Sequence, residues 1–275
     1  MQNSFKITVL AIALVALISS FSAIRSNTSE SASDMVINRG QIRVGYIIYP
    51  PLLEKDPRTG DLSGISYDII EAVAEKLNIQ TNWVEEVGWG SAIEGLKTGR
   101  YHILGTQMWP NSSRAREAVF SNAPFNSVIY AYAREDDRRF DDNLGLINSE
   151  DVTISLVDGE MAMFIAQQDF PLASLANLPQ LSSYAEVVLQ VINNRADIIL
   201  LEPSVVNDFN ERNENTVRRI SENPIRSFGN SFAFARGEES MVSMWNIALT
   251  ELIQEGVIQD ILEKHNVIDF YEVND

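Results

Sequence analysis

The chain has 275 residues, 45% hydrophobic and 21% charged, the composition of a folded globular protein long enough for more than one lobe. A formal net charge of -17 argues against nucleic acid and anionic membrane surfaces as partners, because both call for clustered Lys and Arg. The absence of cysteine excludes disulfides, thiolate nucleophiles, Cys-based zinc sites and a lipidated N-terminal cysteine, and two well-separated histidines, His102 and His265, argue against a His-rich metal site.

In chain order, residues 1–24 read as a secretory signal peptide. Lys6 gives a positive start, an apolar run follows from Ile7 to Ile18, and small residues come next at Ser19, Ser20, Ser22 and Ala23. The alternative is a retained N-terminal membrane anchor, for which the segment is marginally long. Residues 25–39, Ser-rich at their start, read as a linker. "QIRVGYII" predicts a strand, "PPLLEKDPRTGDLSG" a loop, and "SYDIIEAVAEKLN" a helix by its apolar spacing. "IQTNWVEEV" predicts a second strand, "GWGSAIEGLKTGR" a helix opening at Ser91 and stopping at Gly99, and "YHILGTQM" a third strand. This βαβαβ alternation predicts a mostly parallel sheet flanked by helices.

Beyond it, "FNSVIYAYARE" reads as extended, "DVTISLV" as a strand and "GEMAMFIAQQDFP" as a helix ended by Pro171. "LPQLSSY" resembles a short strand, "AEVVLQVINNR" a helix, and "ADIILL" a strand closed by Glu202 and Pro203. "SFAFARG" is extended again, and "MVSMWNIALTELIQEGVIQDILEKHN" closes the chain with helices. The extended segments 125–133 and 228–235 bracket the second α/β unit, as paired crossovers between two lobes would, and such hinges let a cleft open and close. The expected division is lobe 1 over 40–132 and 229–275, and lobe 2 over 133–228.

From about residue 40 onward the chain resembles the family 3 extracellular solute-binding proteins, whose members deliver polar amino acids to ABC transporters. The matching pieces fall in family order: "IRVGY" with "PPL" and "TGDLSGISYDIIEAVAEKLN", then "WGSAIEGLKTGRYHIL", "RAREAVFSNAPF", "ADIILLEP" and "FARGEESMVSMWNIALTELIQEGVIQDILEKH". The resemblance implies an α/β, two-lobed type II periplasmic-binding-protein fold with two hinge crossovers. It also implies a monomer in the periplasm that takes a small polar, amino-acid-like ligand and docks on a membrane ABC permease, with no cofactor.

By spacing alone Arg114 is a surface helix arginine. The resemblance places it at the arginine of "T-P-E-R" that binds a ligand's carboxylate, and a guanidinium suits that task because it offers a planar fork of donors and stays charged when desolvated. The polar turn before it is able to start a helix whose free N–H groups also favour an anion. Glu202 is either an exposed loop glutamate or, where the family has Asp, the partner of the ligand's amino group at a strand's C-terminal end. Trp89, Tyr49 and Trp109 are candidate cleft aromatics, each equally readable as lobe core. Three departures from the family bear on the ligand. Trp109 replaces a small hydroxyl residue, Met161 falls where "VDGEMA" replaces "Q-G-T-T", and His102 replaces an Asp. Gly159 survives, leaving backbone N–H groups at that helix start, and Thr106, Gln107 and Asn111 are candidate polar contacts. Two further functions compete: a dehydratase-type enzyme with Glu202 as general acid, and a membrane-tethered ligand-sensing module. Nothing in the sequence resembles a nucleophile–base pair, a metal site or a phosphate loop.

Overall fold

A computed structural model describes residues 31–141, 143–213 and 216–274. The segment read as a signal peptide and the start of the linker lie outside the described residues. The rest of that linker is a helix, α1 (Ala32–Arg39). Ser31 caps it by accepting from the Asp34 N–H, and Gly40 at φ 61° closes it. Its first N–H groups, on Ala32 and Ser33, donate to the Glu238 carboxylate at 3.1 and 3.2 Å, and Val36 is fully buried. Two caps and one buried valine anchor a stretch whose composition alone looked like a linker.

The first lobe is built on β1 (Gln41–Tyr46), β4 (Gln80–Glu86), β5 (Ile103–Met108), β6 (Ala118–Phe120) and β13 (Ser231–Ala235), in the order β4-β1-β5-β13-β6. β1 runs parallel to β4 and β5, and β13 runs antiparallel to β5 and β6. Every residue of β5 is buried, as expected of a strand covered on both faces. Helices α2 (Ile65–Lys76), α3 (Ala92–Lys97), α7 (Glu239–Gln254) and α8 (Val257–Lys264) flank this sheet. Within the early loop a two-stranded ribbon forms from β2 (Glu54–Lys55) and β3 (Leu62–Ser63).

The second sheet holds β7 (Phe125–Arg134), β8 (Thr153–Val157), β9 (Ser174–Leu178), β10 (Ile198–Leu201) and β11 (Val217–Arg219), with β12 (Arg226–Gly229) and β14 (Glu272–Val273) also paired to β7. Helices α4 (Met161–Asp169), α5 (Tyr184–Ile192) and α6 (Pro203–Asn213) belong to this half of the chain. The chain therefore forms two α/β lobes. β7 lies wholly in the second sheet, so the first crossing falls at residues 121–124 rather than within 125–133. The extended segment 228–235 is two strands, β12 on one sheet and β13 on the other, meeting at Asn230. A third passage was not foreseen: after α8 the chain returns to the second sheet, where β14 pairs Glu272 and Val273 with Asn126 and Phe125 of β7.

Candidate functional site

Parallel strands of both sheets end toward one cleft, the usual place for a ligand in α/β architectures. Trp89 follows β4, Gln107 and Met108 end β5, and Trp109 comes directly after it. Facing them, Gly159 and Glu160 follow β8 and Glu202 follows β10. Tyr49, Trp89, Gln107, Trp109, Arg114, Met161 and Glu202 line one interlobe cavity, together with Leu52, Met108, Glu160 and Asn230. The free space among them is about 10 Å³, room for no more than a single water. The lobes stand closed on their own side chains.

Arg114 is 7% exposed and opens a single 3₁₀ turn, Arg114–Arg116, rather than a full helix, so the expected row of free N–H groups is absent there. Its own N–H donates to Asn111 Oδ1 at 2.8 Å. Its guanidinium bridges the lobes, with Nη1 donating to the Trp109 carbonyl at 2.8 Å and Nη2 to the Gly159 carbonyl at 3.1 Å. The rings of Phe164 and Trp89 lie 5.5 and 6.0 Å from its centre. Burial pulls its pKa below the ordinary value, opposed by the nearby Glu160 charge, but a guanidinium remains charged.

Glu202 is 2% exposed, and Pro203, the first residue of α6, fixes it at the junction of strand and helix. Its carboxylate accepts from the Tyr271 hydroxyl at 2.9 Å and the Tyr49 hydroxyl at 3.2 Å. Burial pushes its pKa up to about 7, against the lowering effect of those hydroxyls, and the Glu160 charge adds to the rise. Glu160, which the sequence reading passed over, caps α4 by accepting from Ala162 N–H at 2.8 Å. Burial raises it to about 7 as well, with backbone hydrogen bonding and the attraction of Arg114 offsetting only part of the effect. Neither glutamate has an ion-pair partner among the described residues.

The aromatic residues tie the lobes together. Trp89 Nε1 donates to the Tyr184 hydroxyl at 3.0 Å, and the Tyr49 and Tyr184 rings meet edge to face at 4.5 Å. Trp109 stacks on Phe228 at 4.6 Å and donates from Nε1 to Asn230 Oδ1 at 3.0 Å and Ser127 Oγ at 3.1 Å. It joins the apolar cluster of the second lobe while leaving the first at β5. The approach of the backbones is equally close. A Cβ on Gly159, whose φ is +79°, would stand 2.7 Å from the Gly90 nitrogen.

Gln107 accepts from Ser66 Oγ at 3.1 Å. Thr106, expected among the polar contacts, stands apart from the cavity: it is fully buried, donating to the Ile47 carbonyl at 2.6 Å and accepting from the Ile47 N–H at 2.9 Å. Tyr184, Tyr271 and Asn230 complete the surroundings of the site and were not foreseen. Among the described residues no group of three or more His, Asp or Glu side chains is placed to hold a metal ion.

The family model described as bacterial extracellular solute-binding proteins, family 3, matches residues 42–267. A probable amino-acid ABC transporter-binding protein of Haemophilus influenzae is 24% identical over 217 residues, covering 78% of this chain and 79% of that protein. An L-arginine-binding protein of Pseudomonas aeruginosa is 22% identical over 240 residues, covering 85% of this chain and 90% of that protein. Among solved structures, an ancestral amino acid-binding protein described as a precursor of cyclohexadienyl dehydratase aligns with a TM-score of 0.73 at 22% identity, over 85% of this chain and 98% of its own. An ancestral arginine-binding protein bound to glutamine aligns with a TM-score of 0.71 at 19% identity, over 83% of this chain and 99% of its own. At these identities the structural likeness speaks to the two-lobed fold alone.

Proposed function

The chain belongs to the bacterial extracellular solute-binding proteins, family 3, and from that premise we propose that it captures a small polar, amino-acid-like ligand between its lobes and presents it to an ABC permease. Export to the periplasm and action as a monomer complete the reading. The observation that carries it is the convergence of Arg114 from one lobe and Glu202 from the other on a single interlobe cavity lined by aromatic rings. Such a cavity opens when the lobes part, and closure over a ligand then excludes water from both charges.

A thermal-shift screen of amino acids, amines and small carboxylates tests the reading. A specific ligand raises the melting temperature in proportion to the logarithm of its concentration. Arg114→Ala, which removes the bridge to Gly159, is expected to abolish that shift while circular dichroism stays unchanged. A shift that persists in Arg114→Ala removes this residue from the site. Turnover of any ligand that binds, followed by mass spectrometry, separates a binding protein from an enzyme that uses Glu202 as a general acid.

A further inference from the structure

The groups of the cleft that suit an anion are already engaged by the protein itself. Arg114 directs Nη1 and Nη2 at the carbonyls of Trp109 and Gly159. The nine-residue helix α4 would offer free N–H groups to a carboxylate, but the Glu160 carboxylate already stands there, accepting from the Ala162 N–H at 2.8 Å. A ligand carboxylate arriving there meets a like charge instead of open donors. What the cavity leaves for a ligand has the opposite character. Glu202 has only neutral hydroxyls donating to it, and the aromatic Tyr49, which lines the same space, is compatible with a cation. Two glutamates against one arginine leave the ionised site one negative charge in excess, and an uncompensated buried charge is costly.

Resting on the binding-protein reading above, we infer that the cleft selects a net positively charged organic amine, held by its ammonium or guanidinium end at Glu202, and that an α-carboxylate is not required. Arg114 then serves as the strut that joins the lobes, and Glu160 as the residue that turns carboxylates away. The inference separates ligands that share a cationic end and differ only in the carboxylate.

Isothermal titration calorimetry of the purified protein at pH 8 with matched pairs tests it: L-arginine against agmatine, L-lysine against cadaverine, and L-glutamine as a zwitterion without net charge. The expected result is that at least one amine binds, within tenfold of its amino acid or tighter, and that L-glutamine binds at least tenfold more weakly than that amine. Amino acids that bind while both amines are more than tenfold weaker overturn this inference and leave the binding-protein reading standing. Silence from all five probes overturns this inference alone, because the binding-protein reading is decided by the wider thermal-shift screen. Two variants add an independent check, each with folding confirmed by its melting curve. Glu202→Gln is expected to lose amine binding by at least 100-fold. Glu160→Gln is expected to move the preference within each pair at least tenfold toward the carboxylate-bearing member. An unchanged preference in Glu160→Gln overturns the role given to that residue and with it the inference.

Discussion

Glu160 and Glu202 are 5% and 2% exposed, and burial lifts both from the ordinary 4.5 to about 7. The folded protein therefore holds protons between about pH 4.5 and 7 that the unfolded chain has already released. Stability from these groups is fully present below the unfolded value and is lost as pH rises through 7. Arg114 and the hydroxyls of Tyr49 and Tyr271 face the pair but offset burial only in part. Glu202→Gln, which cannot ionise, is expected to raise the melting temperature at pH 8 by roughly 5 °C, a shift on the order of one or two kcal/mol for a protein of this size, and to leave it nearly unchanged at pH 4.5. A melting temperature that falls at pH 8 in this variant contradicts the assignment. At this scale the sequence was partly readable. Arg114 and Glu202 were singled out only by the family resemblance, because spacing alone reads the first as a surface helix arginine and the second equally well as an exposed loop glutamate. Glu160 was not, since an acid one residue before an apolar helix reads equally well as an ordinary exposed cap. Tyr271 lies 69 residues from Glu202, and no local pattern records that separation.

Elements were most legible where periodicity and capping agreed. The helix expected over "AEVVLQVINNR" is α5, which starts one residue earlier, at Tyr184, because Ser183 and Glu186 form a full capping box there. The strand expected over "LPQLSSY" lies earlier, as β9, because Pro179 cannot donate to a ladder and the pairing with β8 ends at Leu178. Helix α6 escaped notice because its polar residues outweigh its apolar ones, and only Pro203 marks its first turn. The turn before α4 yields a prediction of its own. Gly159→Ala adds a methyl where Gly90 already stands, at a positive φ, so closure is obstructed as well as the backbone strained. Gly99 has a similar φ of +68° with nothing within 4 Å of its would-be Cβ, which makes Gly99→Ala the matched control. Both substitutions are expected to cost about 1–2 kcal/mol of stability. Only Gly159→Ala is expected to weaken ligand affinity, by at least tenfold in calorimetry.

The two-lobed plan was legible because strands and helices alternate twice, with extended segments between the halves. What the pattern did not reveal is which sheet each extended segment joins. Alternation along β7 is the same whether its buried face meets the first lobe or the second, and only long-range pairing decides. Closure itself is a property of the whole molecule, and a ligand shifts it only by binding the closed form better than the open one. The hydrogen bond from Trp89 to Tyr184 gives that equilibrium a built-in optical gauge. Separating the lobes wets the Trp89 and Trp109 indoles, which both line the cavity between them, whereas Trp245 stays sealed in the first lobe and Trp83 stays stacked on Tyr67. Intrinsic fluorescence is therefore expected to shift to the blue, and acrylamide quenching to weaken, as the ligand saturates the protein. Trp89→Phe should reduce that signal and Trp109→Phe in addition should erase most of the remainder, so occupancy is readable without any dye or label.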